Sequence, residues 1–485
     1  MLFMGIDIGT QGTRVIVTDE TGGLTAYASV LFDCLNLSSY PDYYEQSPKV
    51  WWKSITEAIT ITVCEIKNKG FKSSDIRAIG IDGTSGTILP IDKDNCPLTN
   101  GMMYNDMRSK TETTAIREIS GKHEVKMGLH FNASFALPKI LWIKSNKPDV
   151  YENARLIIHQ ADYIVGRLCG EFGVSDYSNS LKTGYDLIDN CWPEFIDDLG
   201  LDRGKLPNIV APGDIIGKVS RIMASELGLS TETYITAGAT DGYASALAAG
   251  AVHMGSWATI IGSTLVLKGV SPDIVVDPTG SSYCHRLPSG SWMVGGASNV
   301  GGRCLNNRFK TDEFDMLNSS VDMLSPTGVL IYPLTGTGER YPFMDPSAQE
   351  FIIGNISDKR VLYTALMEGV GYIERLAYDL NMKMGCRTGD EIFTSGGGCR
   401  SIEWLRIRAS IMNRPMKVPL VVDAAMGSAM LAASRTFFTS LEEAADSMII
   451  FAKTVEPISK KIKIYDDLYA AFYKQCKCHF KLGGL

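Results

Sequence analysis

The sequence predicts an α/β protein built as two lobes of related design, the first over residues 1–235 and the second over 236–485. Three observations lead there. The chain opens on three short apolar strands joined by tight turns rich in glycine and hydroxyls. "IRAIGIDGTSGTILPID" then echoes that opening, setting Gly80-Ile81-Asp82-Gly83-Thr84 against Gly5-Ile6-Asp7-Ile8-Gly9-Thr10. Near residue 236 the same small-residue pattern of strand, turn and helix restarts. With 485 residues, the chain has enough length for two separate cores.

In "MLFMGIDIGTQGTRVIVTDETGGLTAYASV" apolar residues alternate, break at Gly9–Gly12 and again at Glu20–Gly23, which reads as an antiparallel meander. Alternation places Leu2, Met4, Ile6 and Ile8 on one face and Phe3, Gly5, Asp7 and Gly9 on the other. Asp7 shares its face with two residues that lack side chains, so that face has room for a ligand. "SPKVWWKSITEAITITVCEIKNKG" follows as a helix stopped by Gly70. Residues 101–235 read as helices and loops with polar side chains, His159 and Gln160 among them. A lone histidine there is more often structural than substrate-binding.

In the second half, "YITAGATDGYASALAAGAV" reads as strand, turn and Ala-rich helix, and "WATIIGSTLVLKG" as a second hairpin. "IFTSGGGCRSIEWLRIRASIMN" reads as strand, triple glycine and a helix capped by Ser401 that buries Leu405, Ala409 and Met412. The C-terminal stretch "LEEAADSMIIFAKTVEPISKKIKIYDDLYAAFYKQCKCHF" reads as two helices, its lysines forming a solvated face.

Composition narrows the function. Hydrophobic residues make up 45%, charged residues 21%, and the net charge is −7. That balance speaks against a broad surface for nucleic acid or an anionic membrane. A polyanionic ligand would have to be held by backbone amides, helix ends and metal. The 11 cysteines are scattered, and Cys476-Lys-Cys478-His479 lacks the second ligand pair of a zinc site, so reduced thiols are the plain reading. Asp7 interrupts any signal peptide and no run of 18 apolar residues stands out. A cytoplasmic protein, monomer or homodimer, is the expectation.

Three motifs carry chemistry. The turn Gly9-Thr10-Gln11-Gly12-Thr13 can bring backbone amides and hydroxyls to phosphate oxygens, though it also suits a plain hairpin. A carboxylate beside such a cradle, Asp7, is where Mg²⁺ would sit, commonly through water. Asp241 begins the Ala-rich helix; that is a common N-cap position and equally a place for a general base. Gly396-Gly397-Gly398 offers bare backbone on which a nucleotide could lie. Neither a Walker Gly-x-x-x-x-Gly-Lys-Ser/Thr nor a Rossmann Gly-x-Gly-x-x-Gly after the first strand is present.

In this order along the chain, "DIGTQGTR", "ATDGYASALAAGA", "IIGST", "LTGTGERYPFMDP", "SGGGCRSIEWLRIRAS" and "AAMGSAMLAA" resemble the FGGY family of carbohydrate kinases. The resemblance implies the two-lobed actin, hexokinase and Hsp70 type of ATPase fold, ribonuclease H-like, with a central cleft. It implies ATP and a small-molecule sugar as substrates, Mg²⁺ on Asp7, and a catalytic set of Asp241 as base with Asp7 and Thr10. ATP would be held by Thr10, Gln11, Thr13, Gly262, Ser263, Thr264, Gly396, Gly397, Gly398 and Trp404. The sugar would face Asp82, Thr84, Ser85 and Asp241.

D-xylulose kinases of the family carry Gln-Met-His-Gly where this chain has "IDGTSGT". With "MYNDMRS" and "HQADYIVGRLCGEFGVSDYSNSLKTGYD", that loop is similar to the branch that makes D-ribulose 5-phosphate from D-ribulose. D-xylulose, L-ribulose or a polyol are the alternatives within the class, and a non-catalytic regulator the alternative outside it. Gly242 stands where many xylulokinases have Asn, and Ser410 where the adenosine motif usually has Asp.

Overall fold

A computed structural model of the chain describes residues 1–33, 36–38, 40–321 and 325–480. The chain divides into two compact units. The first joins Met1–Ala248, His285–Gly290 and Asp423–Ile450; the second joins Ala249–Cys284, Ser291–Val422 and the chain from Phe451. The boundary lies one strand and one helix beyond the one expected near 236. Tyr234–Thr236 and Ala239–Thr240 both pair in parallel with Ile76–Gly83, which ties them and Asp241 to the first unit.

The sheet of the first unit runs in the order Ile215–Lys218, Tyr234–Thr236, Ile76–Gly83, Leu2–Ile8, Gly12–Asp19, Leu24–Leu31. The opening meander is antiparallel, and Leu2–Ile8 pairs in parallel with Ile76–Gly83. One face is covered by the helix Pro48–Asn68. Ser47 caps it by accepting from Lys49 N–H, Pro48 supplies its first turn, and Gly70 leaves it at φ +89°. Its stripe Trp51, Ile55, Ile59, Thr62 and Ile66 is buried.

The other face corrects an expectation. The space beside Gly5 is not left for a ligand: the helix Ala424–Thr436 fills it. A Cβ on Gly5 would lie 1.7 Å from the Ala425 carbonyl oxygen, and one on Gly80 would lie 2.1 Å from that of Ser428. The paired glycines let the helix backbone lie directly on the strands.

The second unit carries a sheet ordered Trp292–Ser298, Leu265–Ser271, Trp257–Ile261, Ile392–Ser395, Met416–Pro419, Phe451–Val455. Here too a hairpin precedes a parallel pair, Trp257–Ile261 with Ile392–Ser395. The C-terminal stretch is not simply two helices. Leu441–Met448 is a helix of the first unit, Phe451–Val455 pairs antiparallel with Met416–Pro419, and Ser459–His479 is a helix of the second. Among the described residues no helix is long and apolar enough to cross a membrane.

Candidate active site

Parallel pairing of Leu2–Ile8 with Ile76–Gly83 sets Asp7 opposite Asp82 near the carboxyl ends of both strands. In α/β sheets that is the end where ligands gather. Asp7 is 3% exposed, and its hairpin partner Arg14 donates from Nη1 to Oδ2 at 2.8 Å. The Arg14 Nε also lies 3.6 Å from Asp423 Oδ2. Asp423 caps the helix Ala424–Thr436 through Ala425 N–H, and Ser428 of that helix donates to Asp82 Oδ2 at 2.6 Å. Asp82 Oδ1 has no protein donor.

Two carboxylates, Asp7 and Asp423, thus share one half-exposed arginine. Burial, then Asp423 and Asp241, push Asp7 up to about 6, against the pull of Asp82 and Arg14. Asp82, fully buried, is raised well above the carboxylate range by burial and by Asp7; it is the acid that keeps its proton.

Asp241 follows Ala239–Thr240, which pairs with Asp82 and Gly83, so its carboxylate is delivered beside the same strand end. It accepts from Gly242 N–H at 2.7 Å, and the Ser85 amide nearby favours its charged form. Burial raises its pKa, and the nearby Lys182 cation works in the opposite direction.

The 84–87 loop is clamped at every residue. Thr84 donates its N–H and hydroxyl to Gln160 Oε1 at 2.9 and 2.7 Å. Lys182 Nζ reaches the Ser85 carbonyl at 3.5 Å, and buried Lys139 Nζ donates to the Gly86 carbonyl at 2.8 Å. Thr87 Oγ1 bonds Thr84 Oγ1 and accepts from Tyr104 N–H. The Thr84 hydroxyl, expected at the sugar, is therefore spent inside the loop; that of Ser85 is the one left over. Ser85 Oγ, Asn105 Oδ1, Gln160 Nε2 and Asn179 Oδ1 join Asp82 Oδ1 as buried polar atoms without a protein partner. Asn179 sits beside Asp241 because Thr240 N–H donates to Ser178 Oγ. His159 is structural: it bonds Asp162 and Ser175 through Nδ1 and Thr183 through Nε2.

The first turn closes with Gly9 N–H on the Gly12 carbonyl at 3.0 Å, leaving Gln11 exposed and Thr10 half-buried. Thr13 does not join them. It is buried, its hydroxyl 2.7 Å from Ser54 Oγ of the covering helix.

In the second unit Gly262 and Ser263 are exposed and Thr264 half-exposed, at the end of the hairpin. Gly396 (φ +87°) lies beside this turn: a Cβ there would sit 2.5 Å from the Ile261 carbonyl oxygen, and one on Gly398 3.0 Å from Ile261 Cβ. The two glycine-bearing turns are thereby held side by side. Trp404 is buried beneath them. Its Nε1 donates to the Met367 carbonyl, and its ring lies 3.5 Å from where a Gly398 Cβ would be. It props the glycine turn and offers no open face to a base. Ser401 caps the following helix as expected, Leu405 and Ala409 are buried, and Met412 is half-buried. Ser410 donates to the Arg406 carbonyl and accepts from Ile458 N–H.

Reading by sequence alone passed over Arg14, Asp423, Ser428, Lys139, Gln160, Asn105, Asn179 and Lys182. One signal was available: glycines at matching positions of paired strands call for a close-packed helix, and "AAMGSAMLAA" has the small residues for it.

The fold is a two-unit α/β protein with carboxylates gathered at the ends of parallel strands, and the comparisons give its class. The N-terminal domain model of the FGGY family of carbohydrate kinases matches residues 2–248, and the C-terminal domain model matches 250–435. The chain belongs to that family and is a carbohydrate kinase, a class that uses ATP. It is 26% identical over 494 residues to a xylulose kinase of Bacillus subtilis (strain 168), covering 99% of this chain and 97% of that one. It is 27% identical over 498 residues to a xylulose kinase of Staphylococcus epidermidis (strain ATCC 12228 / FDA PCI 1200), covering 98% and 97%. Among solved structures, a "xyloylose kinase" from Brucella ovis shares the fold with a TM-score of 0.89 at 24% identity, covering 99% of each chain.

Proposed function

We propose that this kinase transfers the γ-phosphoryl group of ATP to the terminal hydroxyl of a pentulose. The observation that carries the reading is a set of buried polar atoms without a protein partner on and beside the 84–87 loop and the strand end next to Asp241: Asp82 Oδ1, Ser85 Oγ, Asn105 Oδ1, Gln160 Nε2 and Asn179 Oδ1. Leaving such atoms unpaired costs about 1–3 kcal/mol each, a cost that a polyhydroxylated ligand offsets. The names of the relatives favour D-xylulose as that ligand. The "IDGTSGT" loop, in place of Gln-Met-His-Gly, favours D-ribulose as the second reading.

Asp241 would take the proton of the attacking hydroxyl. Its raised pKa makes it a stronger base than an exposed aspartate, and the Lys182 cation opposes that rise. The amide of Gly242 holds its carboxylate, so the hydroxyl meets an oriented acceptor. Thr10 and Gln11 of the first unit would meet phosphate through backbone amides and hydroxyls; in the second unit, Gly262, Ser263, Thr264 and the glycines 396–398 would offer the same groups to ATP.

Asp7 fits a Mg²⁺ ion. It is a buried carboxylate, raised by two like charges, whose ion-pair partner is half-exposed. Mg²⁺ takes one or two carboxylates and completes its shell with water and phosphate oxygens. When bound, Mg²⁺ neutralises charge on the phosphates.

The test is ADP release with Mg·ATP against D-xylulose, D-ribulose, L-ribulose, glycerol and ribitol. Turnover led by D-xylulose supports the first reading, and a lead for D-ribulose makes the Ser85 loop the determinant. Measurable ATP binding with no turnover on any of them overturns the pentulose reading in favour of a regulator.

A further inference from the structure

We infer that Gln160 is a specificity-determining residue whose carboxamide N–H donates to the C2 carbonyl oxygen of an open-chain pentulose and so separates ketose from alditol. The inference rests on the pentulose reading above.

The substrate's own chemistry sets the requirement. In a 2-pentulose the terminal hydroxyl oxygen, O5, is also the oxygen that closes the five-membered ring on C2. Closure through O4 would make a four-membered ring. A molecule that is phosphorylated on O5 therefore reacts as the open chain, with a free carbonyl at C2. That oxygen accepts hydrogen bonds and has no hydrogen to give, whereas every hydroxyl both gives and accepts. A site that reads the open ketose needs one fixed donor among acceptors.

The partnerless atoms around the 84–87 loop have that composition. Asn105 Oδ1 and Asn179 Oδ1 are acceptors, Ser85 Oγ can do either, and Gln160 Nε2 is a donor only. The amide of Gln160 cannot be turned over. Its oxygen takes the backbone N–H of Thr84 at 2.9 Å, a place no amide nitrogen can occupy, as well as the Thr84 hydroxyl at 2.7 Å. The nitrogen is thereby left without an acceptor on a fully buried side chain.

Gly83 permits this approach, because a Cβ there would lie 3.2 Å from Gln160 Oε1. The two cations of the neighbourhood are otherwise engaged: Lys139 Nζ donates to the carbonyls of Gly86 and Ser134, and Lys182 Nζ reaches that of Ser85. Gln160 thus holds Thr84, one residue along the loop from Ser85.

The experiment compares wild type with Gln160→Glu and Gln160→Met. Glutamate keeps an oxygen for Thr84 and replaces the donor with a second acceptor; methionine removes both. For each protein, kcat/KM is measured on D-xylulose and D-ribulose. Xylitol and ribitol are measured as substrates, or as competitive inhibitors where they are not turned over, alongside KM for ATP and the thermal midpoint. The expected result for Q160E is a loss of roughly 10–100-fold on the ketoses, with alditol binding unchanged or improved, because an alditol C2 hydroxyl can donate to the new carboxylate. Q160M should lose ketose activity without that alditol gain.

Equal losses on ketoses and alditols would overturn the inference and leave Gln160 as a clamp for the loop. So would unchanged ketose activity. A wild-type enzyme that phosphorylates a different sugar and no pentulose would overturn the pentulose reading itself, and this inference with it.

Discussion

Replacing Asp7 with asparagine should abolish efficient catalysis and yet stabilise the unliganded protein at neutral pH. Asp7 is buried, and its pKa rises from the ordinary 3.8 to about 6. A shift of roughly two units at 1.36 kcal/mol each is worth about 3 kcal/mol. The sign follows from the direction: a carboxyl raised on folding favours the folded state when protonated. That advantage is complete below pH 3.8 and is lost as pH rises through about 6. Above that, the folded chain holds a poorly solvated charge that the neutral carboxamide of D7N would not carry. Arg14 loses a partner in D7N, but its side chain is 49% exposed and stays near Asp423, so this loss is small. Urea midpoints measured without nucleotide or divalent cation should therefore rise in D7N at pH 8, with the gain vanishing toward pH 4. ADP release should fall by about 10²-fold or more. A D7N protein that is less stable than wild type at pH 8 would refute the reasoning, because the Arg14 pair would then outweigh the cost of burial.

Asp241→Asn should fold normally, melt within a few degrees of wild type and lose roughly 10²–10⁴-fold in kcat in the ADP-release assay. In the wild type kcat should fall on acidification, since a base with a raised pKa is lost by protonation at a higher pH than an ordinary aspartate. Gly80→Ala should be far worse for stability than a typical glycine change. Its Cβ would meet the Ser428 carbonyl oxygen at 2.1 Å, a backbone contact that cannot swing aside, and the loss should exceed about 3 kcal/mol by urea titration. In the second unit, Arg408 and Glu374 form a fully buried two-bond pair, both contacts 2.7 Å, between the helices Lys359–Lys383 and Ile402–Met412. Arg408→Met should cost about 3–5 kcal/mol by stranding Glu374, and the double variant R408M/E374L should recover most of it.

Much of the fold was legible in the sequence because strand alternation and glycine punctuation are local. The opening meander, the capped helix Pro48–Asn68 and the hairpin before the second parallel pair all follow from spacing within ten or twenty residues. Asp7, Asp82 and Asp241 were legible because a carboxylate at an apolar strand end is chemically conspicuous. Alternation reports which face a residue is on, but not what covers that face. Gly5 therefore looked like room for a ligand, when the covering helix comes from more than 400 residues later. Thr13 and Trp404 match a motif by type, yet tertiary packing turns both inward. Gln160 and Asn179 carry common polar side chains, and nothing about them is unusual until their neighbours are known to leave them unpaired.

The way the helix Ala424–Thr436 seats on Gly5 and Gly80 sets a timetable for synthesis. Ser428 lies 346 residues beyond the aspartate it bonds. At translation rates of about 5–20 residues per second, the central strands wait roughly 17–70 s on the ribosome for the element that covers them. Throughout that interval the nascent sheet presents Phe3, Gly5, Ala78 and Gly80 to the surrounding medium. The first unit cannot finish folding until Ala424–Thr436 has been made, although its central strands emerge long before that helix.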